Sequence, residues 1–213
     1  MGRVTQAHID SRTETILNAA TTMFVRKGFE AATMQEIANE ADLSAGAIYR
    51  YFPSKEALLR AVCAGASGEI SQQFASASEA ASTPLEAILE IGRQEWDGMA
   101  EPENRDATML YLETALAAVR RPEELYAARR EVVGTLITEI ESLVRQAQES
   151  GEITKEIDAP GLAATLLAAH VGTSVIRLQM DELDPSKVFD AIRHIMKSLR
   201  PQQTAVGAGE KRG

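Results

Sequence analysis

The chain has 213 residues and a formal net charge of −9, with 45% apolar and 25% charged side chains, the balance of a folded globular protein rather than a disordered one. Strand formers are sparse beside Ala, Leu, Glu, Gln, Met and Arg, a mixture that favours helix. Cys63 is the one cysteine, which excludes an intrachain disulfide and a Cys-rich zinc site.

Taken in chain order, the N-terminal stretch has no apolar signal core, and Gln6 stands where a myristoylation signal needs Ser or Thr, so a cytoplasmic protein is expected. Ser11 with Glu14, Thr33 with Glu36 and Thr83 with Glu86 have capping-box spacing, in which the hydroxyl accepts from the third helical N–H and the Glu reaches back. Each predicts a helix start. Pro84 adds a preset φ, and Asp158 before Pro160 and Asp184 before Pro185 are carboxylate caps. Gly28 after Arg26 and Lys27 predicts the end of the first helix, Gly151 the end of a helix over residues 122–150, and Pro201 the end of the last. Residues 201–213 read as a flexible tail.

Helical spacing puts Ile16, Ala19, Ala20, Met23 and Phe24 on one stripe, and Val188, Ile192, Ile195, Met196 and Leu199 on another. Residues 64–82, rich in Ala and Ser, continue a helix before a loose connector. Residues 162–180 are apolar, but His170 and Arg177 among them argue for a buried helix of a soluble protein and against a membrane span. The expectation is an all-α fold of nine or ten helices with no strand.

Residues 33–58 carry the functional signal. A helix of about eight residues is followed by a tight turn at Ala41, Asp42 and Leu43, then by a second short helix capped by Ser44. Ile37, Ala38, Ala41, Leu43, Ile48 and Phe52 fall on inward faces, and the two alanines let the helices cross closely. This is a helix-turn-helix, whose second helix is shaped for a major groove. Its outward side offers Ala45, Gly46, Ala47, Tyr49, Arg50 and Tyr51. Small residues allow close approach, an Ala methyl suits a thymine methyl, and a guanidinium suits guanine. Tyrosine hydroxyls reach phosphates. Lys55 beside the open N–H groups of the next helix reads as a phosphate clamp. Residues 1–60 hold equal numbers of basic and acidic side chains, so the whole −9 belongs to the remainder, and an acidic body leaves DNA contact to the neutral head.

Thr33, Ile37, Ala38, Ala41, Ser44, Gly46, Tyr49, Phe52, Lys55 and Leu58, with Phe24, Gly28 and Phe29 before them, resemble at fixed spacing the signature of the TetR (tetracycline-repressor-like) family. The resemblance covers roughly residues 11–60. Asp42 departs from it, standing where the family usually has Gly, although Asp tolerates a left-handed backbone better than most residues. The resemblance implies a three-helix DNA-binding head (residues 1–60), a ligand-binding and dimerisation body (61–200), a homodimer, operator DNA as partner, and a small-molecule effector that releases a repressor. It implies that Thr33 contacts phosphate, that Ser44, Ala45, Gly46, Ala47 and Arg50 face the groove, and that Tyr49, Tyr51 and Lys55 hold the DNA backbone.

The body is less informative. Trp96, Met99, Met109 and Glu113 are the candidates for an effector pocket, and a buried Glu113 suits a cationic guest. His170, Thr173, Ser174 and Arg177 share one face of an otherwise apolar helix. That face either lines a cavity, which makes His170, Ser174 and Arg177 ligand contacts, or lies in the dimer interface, where the resemblance puts the penultimate pair of helices. No metal, cofactor or catalytic residue is expected. The sequence has no His-Glu-x-x-His, phosphate loop or Gly-x-Ser-x-Gly, and its three histidines are dispersed at positions 8, 170 and 194.

Overall fold

The computed structural model describes residues 6–99, 101–120 and 125–201, which form nine helices and no strand among them. They are α1 (Gln6–Lys27), α2 (Met34–Glu40), α3 (Ala45–Ile48), α4 (Lys55–Ala80), α5 (Pro84–Gly98), α6 (Pro102–Arg120), α7 (Leu125–Glu149), α8 (Ala159–Arg177) and α9 (Pro185–Ser198). The expected tail, from residue 202 onward, and Pro122 lie outside the described residues.

Most helix ends lie where the capping residues put them. Thr33 makes a full capping box, its hydroxyl accepting from the Glu36 N–H while the Glu36 carboxylate accepts from the Thr33 N–H. At α5 the Thr83 hydroxyl accepts from the Glu86 N–H, but the Glu86 carboxylate accepts from Ser82 instead, so this box is split over two residues. Asp158 and Asp184 cap α8 and α9. Gly28 (φ 79°) and Gly151 (φ 77°) take the left-handed conformation that ends a helix at little cost only for glycine. Ser11 is a correction: α1 spans Gln6–Lys27, so Ser11 is inside the helix, its carbonyl accepting from Thr15 Oγ1.

The α1 stripe is buried as patterned. Ile16, Ala20 and Phe24 are fully covered and join Phe29, Ile37, Ala38, Ile48, Leu58 and Leu59 in one core. Phe24 and Phe29 meet edge to face at 5.3 Å between ring centroids. This core does not stop at residue 60. It takes in Cys63 of α4, Ala118 of α6 and Ala128 and Val132 of α7, and α4 runs unbroken through the boundary. Head and body therefore share packing.

In the body, α7 is the central element, packed on α4, α5, α6 and α8. On α9, Phe189 and Met196 are buried while Ile195 is 57% exposed, so Ile195 leaves the inward stripe on which its spacing placed it. The apolar helix α8 is likewise only half covered. In the single chain Ala163 and Thr173 are buried, but Ile176 is 45% exposed, so the helix is not buried by its own chain alone. By length and composition alone α8 suffices to cross a membrane, with a mean hydropathy of 1.4.

Candidate DNA-recognition surface and ligand cavity

The recognition segment is built on three anchors. Ile37 and Ala38 of α2 and Ile48 of α3 are fully buried and fix the crossing of the two helices. Between them the turn closes through Ala41 N–H to Ile37 O (3.0 Å) and Leu43 N–H to Ala38 O (2.8 Å). Asp42 sits at φ 53°, the left-handed region expected for this position. Ser44 then starts α3, its hydroxyl accepting from the Ala47 N–H at 3.2 Å.

With Ile48 pointing in, the opposite side of α3 points out. Ser44, Gly46 and Arg50 are exposed, Tyr49 is 52% exposed, and Ala45 and Ala47 are half-buried. Arg50 lies just past the helix, in a closing turn where its N–H donates to Ala47 O. A Cβ at Gly46 would meet no atom within 4 Å, so nothing in the fold itself demands glycine there. Tyr51 is half-buried and packs on the head core, leaving less of it outward than the pattern predicted. Thr33 is exposed, though its hydroxyl is engaged by Glu36.

Lys55 is the main correction. Its Nζ donates to Phe29 O (2.5 Å), Glu30 O (2.9 Å) and Ala32 O (2.9 Å), and lies 4.6 Å from the Phe29 ring centroid. An ammonium has three donors. All three serve the loop between α1 and α2, so Lys55 ties α4 to that loop and is not left open for phosphate. Nothing in a 26-residue separation announces such a contact. Other head cations are also taken. Lys27 pairs with Glu36 at 2.5 Å and Arg26 with Glu40 at 3.5 Å. The Lys27 ammonium and then the Thr33 hydroxyl hold the Glu36 carboxyl below its ordinary range. Arg50 is in no ion pair among the described residues.

The body encloses a cavity of about 570 Å³ between α4, α5, α7, α8 and α9, with α6 at its edge. That volume lies within the range of small-molecule sites, roughly 300–1,000 Å³. Ile70, Phe74, Ile88, Leu136, Ile140 and Leu166 supply apolar walls. Of the predicted pocket residues, Trp96, Met99, His170, Ser174 and Arg177 line it. Met109 and Glu113 do not. Met109 is 39% exposed on α6. The Glu113 carboxylate lies against the C-terminal end of α1, with Oε2 3.1 Å from where a Cβ on Gly28 would stand. Glu113 thus supplies no charge to the cavity. Thr173 is not in the lining either, although it and Ser174 each donate to the carbonyl four residues back, so the polar face of α8 divides.

Sequence reasoning missed Glu95, Tyr111, Phe189 and the Arg105–Asp181 pair, all in the cavity lining. Glu95 had one available signal, its place beside Trp96 on α5. His170 Nε2 lies 3.9 Å from Glu95 Oε2, and its ring meets Trp96 edge to face at 5.0 Å. Burial lowers the His170 pKa from its ordinary 6.5, partly offset by the Glu95 carboxylate. The sign follows: the unfolded chain binds this proton more readily, so stability held above pH 6.5 is lost as pH falls through the lowered folded value. The His170→Gln variant should therefore show a shallower loss of melting temperature between neutral and mildly acidic pH. The wild-type excess slope should not exceed about 1.4 kcal/mol per pH unit, the limit for one proton. Parallel melting curves for the two proteins across that window would contradict it.

A short convex helix over a buried helix crossing, joined to a cavity-bearing helical body, defines the helix-turn-helix class of regulatory protein. Comparison with known proteins gives the family. The profile described as "Bacterial regulatory proteins, tetR family" matches residues 16–62. UidR, an HTH-type transcriptional regulator of Escherichia coli (strain K12), is 30% identical over 164 residues, 74% of this chain and 76% of that protein. YfiR of Bacillus subtilis (strain 168), described as an uncharacterized HTH-type transcriptional regulator, is 45% identical over 60 residues, 28% of this chain but 29% of YfiR's length. Similarity to relatives of this second kind spans under a third of them. In fold, the FadR regulator of Bacillus subtilis in complex with stearoyl-CoA superposes with a TM-score of 0.74 at 18% identity, covering 87% of this chain and 97% of that one. The chain belongs to the tetR family of bacterial regulatory proteins, a family of transcriptional regulators and not of enzymes.

Proposed function

We propose that this chain is a cytoplasmic, homodimeric repressor that holds operator DNA through α3 and its closing turn, and releases it when a small molecule fills the body cavity. Residues 1–60 are the DNA-holding part and 61–200 the sensing and dimerising part. The observation that carries the reading is the outward side of residues 44–50, open around Gly46 and bearing an exposed Arg50 that is in no ion pair among the described residues. Ser44, Ala45, Gly46, Ala47 and Arg50 face the bases. Tyr49, Thr33 and the exposed part of Tyr51 meet the sugar-phosphate backbone. Support for the effector comes from the cavity and from a structural neighbour described in complex with stearoyl-CoA. Support for the dimer comes from the exposed apolar residues Ile176 of α8, Met180 just beyond it and Ile195 of α9. A dimer presents two recognition helices about 34–36 Å apart, the spacing of successive major grooves. A coupling of about 1–3 kcal/mol between effector and DNA changes operator affinity some 5- to 150-fold.

A gel-shift titration against the DNA upstream of its own gene tests this. Retardation should be sharp and should weaken steeply with salt. Gly46→Glu should melt as the wild type does, because space is free, yet lose operator binding by more than about tenfold through charge and bulk against the groove. Arg50→Ala should cost about 1–3 kcal/mol and relax preference at one base position. A Gly46→Glu protein that binds the operator like the wild type would remove α3 from the interface.

A further inference from the structure

The charges around the cavity bear on its guest. Of the carboxylates in its lining, Asp181 is 90% exposed and faces Arg105 at 3.6 Å, and Glu101 is exposed. Glu95 accepts from Gln73 Nε2 at 2.9 Å, has His170 3.9 Å away, and keeps 43% of its side chain open to solvent. Arg177 differs. It is half-buried, no carboxylate lies within ion-pair distance of it among the described residues, and its bonded partner is a neutral group, the Met99 carbonyl. Its Nε is buried without a partner, as is the indole N–H of Trp96 in the same wall. A cation held in a low-dielectric wall without a counter-charge is costly, and a bound anion relieves that cost. An unbonded indole N–H needs an acceptor as well. Besides its polar and charged side chains the lining is largely aliphatic and aromatic.

Resting on the reading of the cavity as the effector site, we propose that the effector is an apolar molecule bearing a carboxylate, and that Arg177 is the residue that meets the carboxylate. Guanidinium and carboxylate match in geometry as well as charge. The apolar body lies among Phe74, Ile88, Leu136, Ile140 and Leu166. This reverses the cationic guest that Glu113 suggested, because Glu113 lies outside the cavity.

Trp96 is the sole tryptophan and stands in the cavity wall, so its fluorescence reports occupancy directly. The full chain is titrated, without DNA and below micellar concentrations, with dodecanoate, dodecanol and dodecyltrimethylammonium, and with phenylbutanoate, its alcohol and its ammonium analogue. In at least one series the acid should bind about tenfold or more tightly than the alcohol, the worth of a charge-assisted hydrogen bond. Arg177→Gln should erase that preference while leaving alcohol affinity within about twofold, and Arg177→Lys, which keeps the charge but not the fork, should keep only part of it. Circular-dichroism melting shows whether both variants stay folded. Equal binding of acid and alcohol in both series, an acid preference that survives in folded Arg177→Gln, or no binding by any compound overturns the proposal. A preference for the ammonium compounds also overturns it and assigns the charged partner to Glu95. A gel shift on the same preparation separates the two readings. DNA retardation without acid preference sinks only the ligand class, whereas acid preference without retardation sinks the regulator.

Discussion

Lys55→Ala is expected to destabilise the head by roughly 2–4 kcal/mol, since it removes charge-assisted bonds to three carbonyls and a cation–π contact together. The carbonyls of Phe29, Glu30 and Ala32 would be left to water, and α4 would lose its tie to the loop between α1 and α2. Chemical denaturation read by circular dichroism measures the loss. Operator binding should fall with it, but for an indirect reason. At a temperature where the variant is still folded, the dependence of log affinity on log salt should keep the wild-type slope. A direct phosphate contact predicts the opposite, an unchanged melting curve and a slope smaller by about one unit. The two outcomes do not overlap, so one pair of measurements decides what this lysine does.

The double substitution Ile176→Glu with Ile195→Glu should convert a dimer to a monomer and lower operator affinity by more than about a hundredfold. Both side chains are about half exposed in the isolated chain, at 45% and 57%, so acids there should cost the protomer little. In a dimer of ordinary size, with about 800 Å² buried per partner, they would bring four carboxylates into an apolar seam. A monomer meets one half-site and forfeits the gain of linked binding, which is commonly 10²–10⁴. Light scattering reads the mass and the gel shift reads the affinity. A variant that remains dimeric moves the interface away from α8 and α9.

The head was legible because its elements are specified locally. Capping residues, left-handed positions and a buried stripe at helical spacing each depend on residues a few places apart, and Thr33, Gly28, Asp42 and the Ile16–Phe24 stripe all stand as their chemistry requires. The body was legible only as helices. Whether a half-apolar helix turns its polar edge to a cavity, to solvent or to a second chain depends on partners far along the sequence. The polar residues of α8 show this: His170, Ser174 and Arg177 line the cavity while Thr173, on the same helical face by spacing, is buried outside the lining. Glu113 and Lys55 were misread for a related reason. A charged side chain reads as a contact for a guest or a phosphate until the fold places it, here Glu113 beside the end of α1 and Lys55 on the carbonyls of the loop that follows α1.

The unbroken run of α4 joins the cavity wall to the head as one rod. Phe74 and Ile70 touch the cavity, while the N-terminus of the same rod, nineteen residues before Phe74, carries the head. At about 1.5 Å of rise per residue that arm is roughly 28 Å long, so a swing of about 5° pivoting at Phe74 carries Lys55 through an arc of some 2.5 Å. In a symmetric pair the two arcs add or cancel according to their direction. A few ångströms of spread is enough to set one head out of step with the groove when its twin is seated.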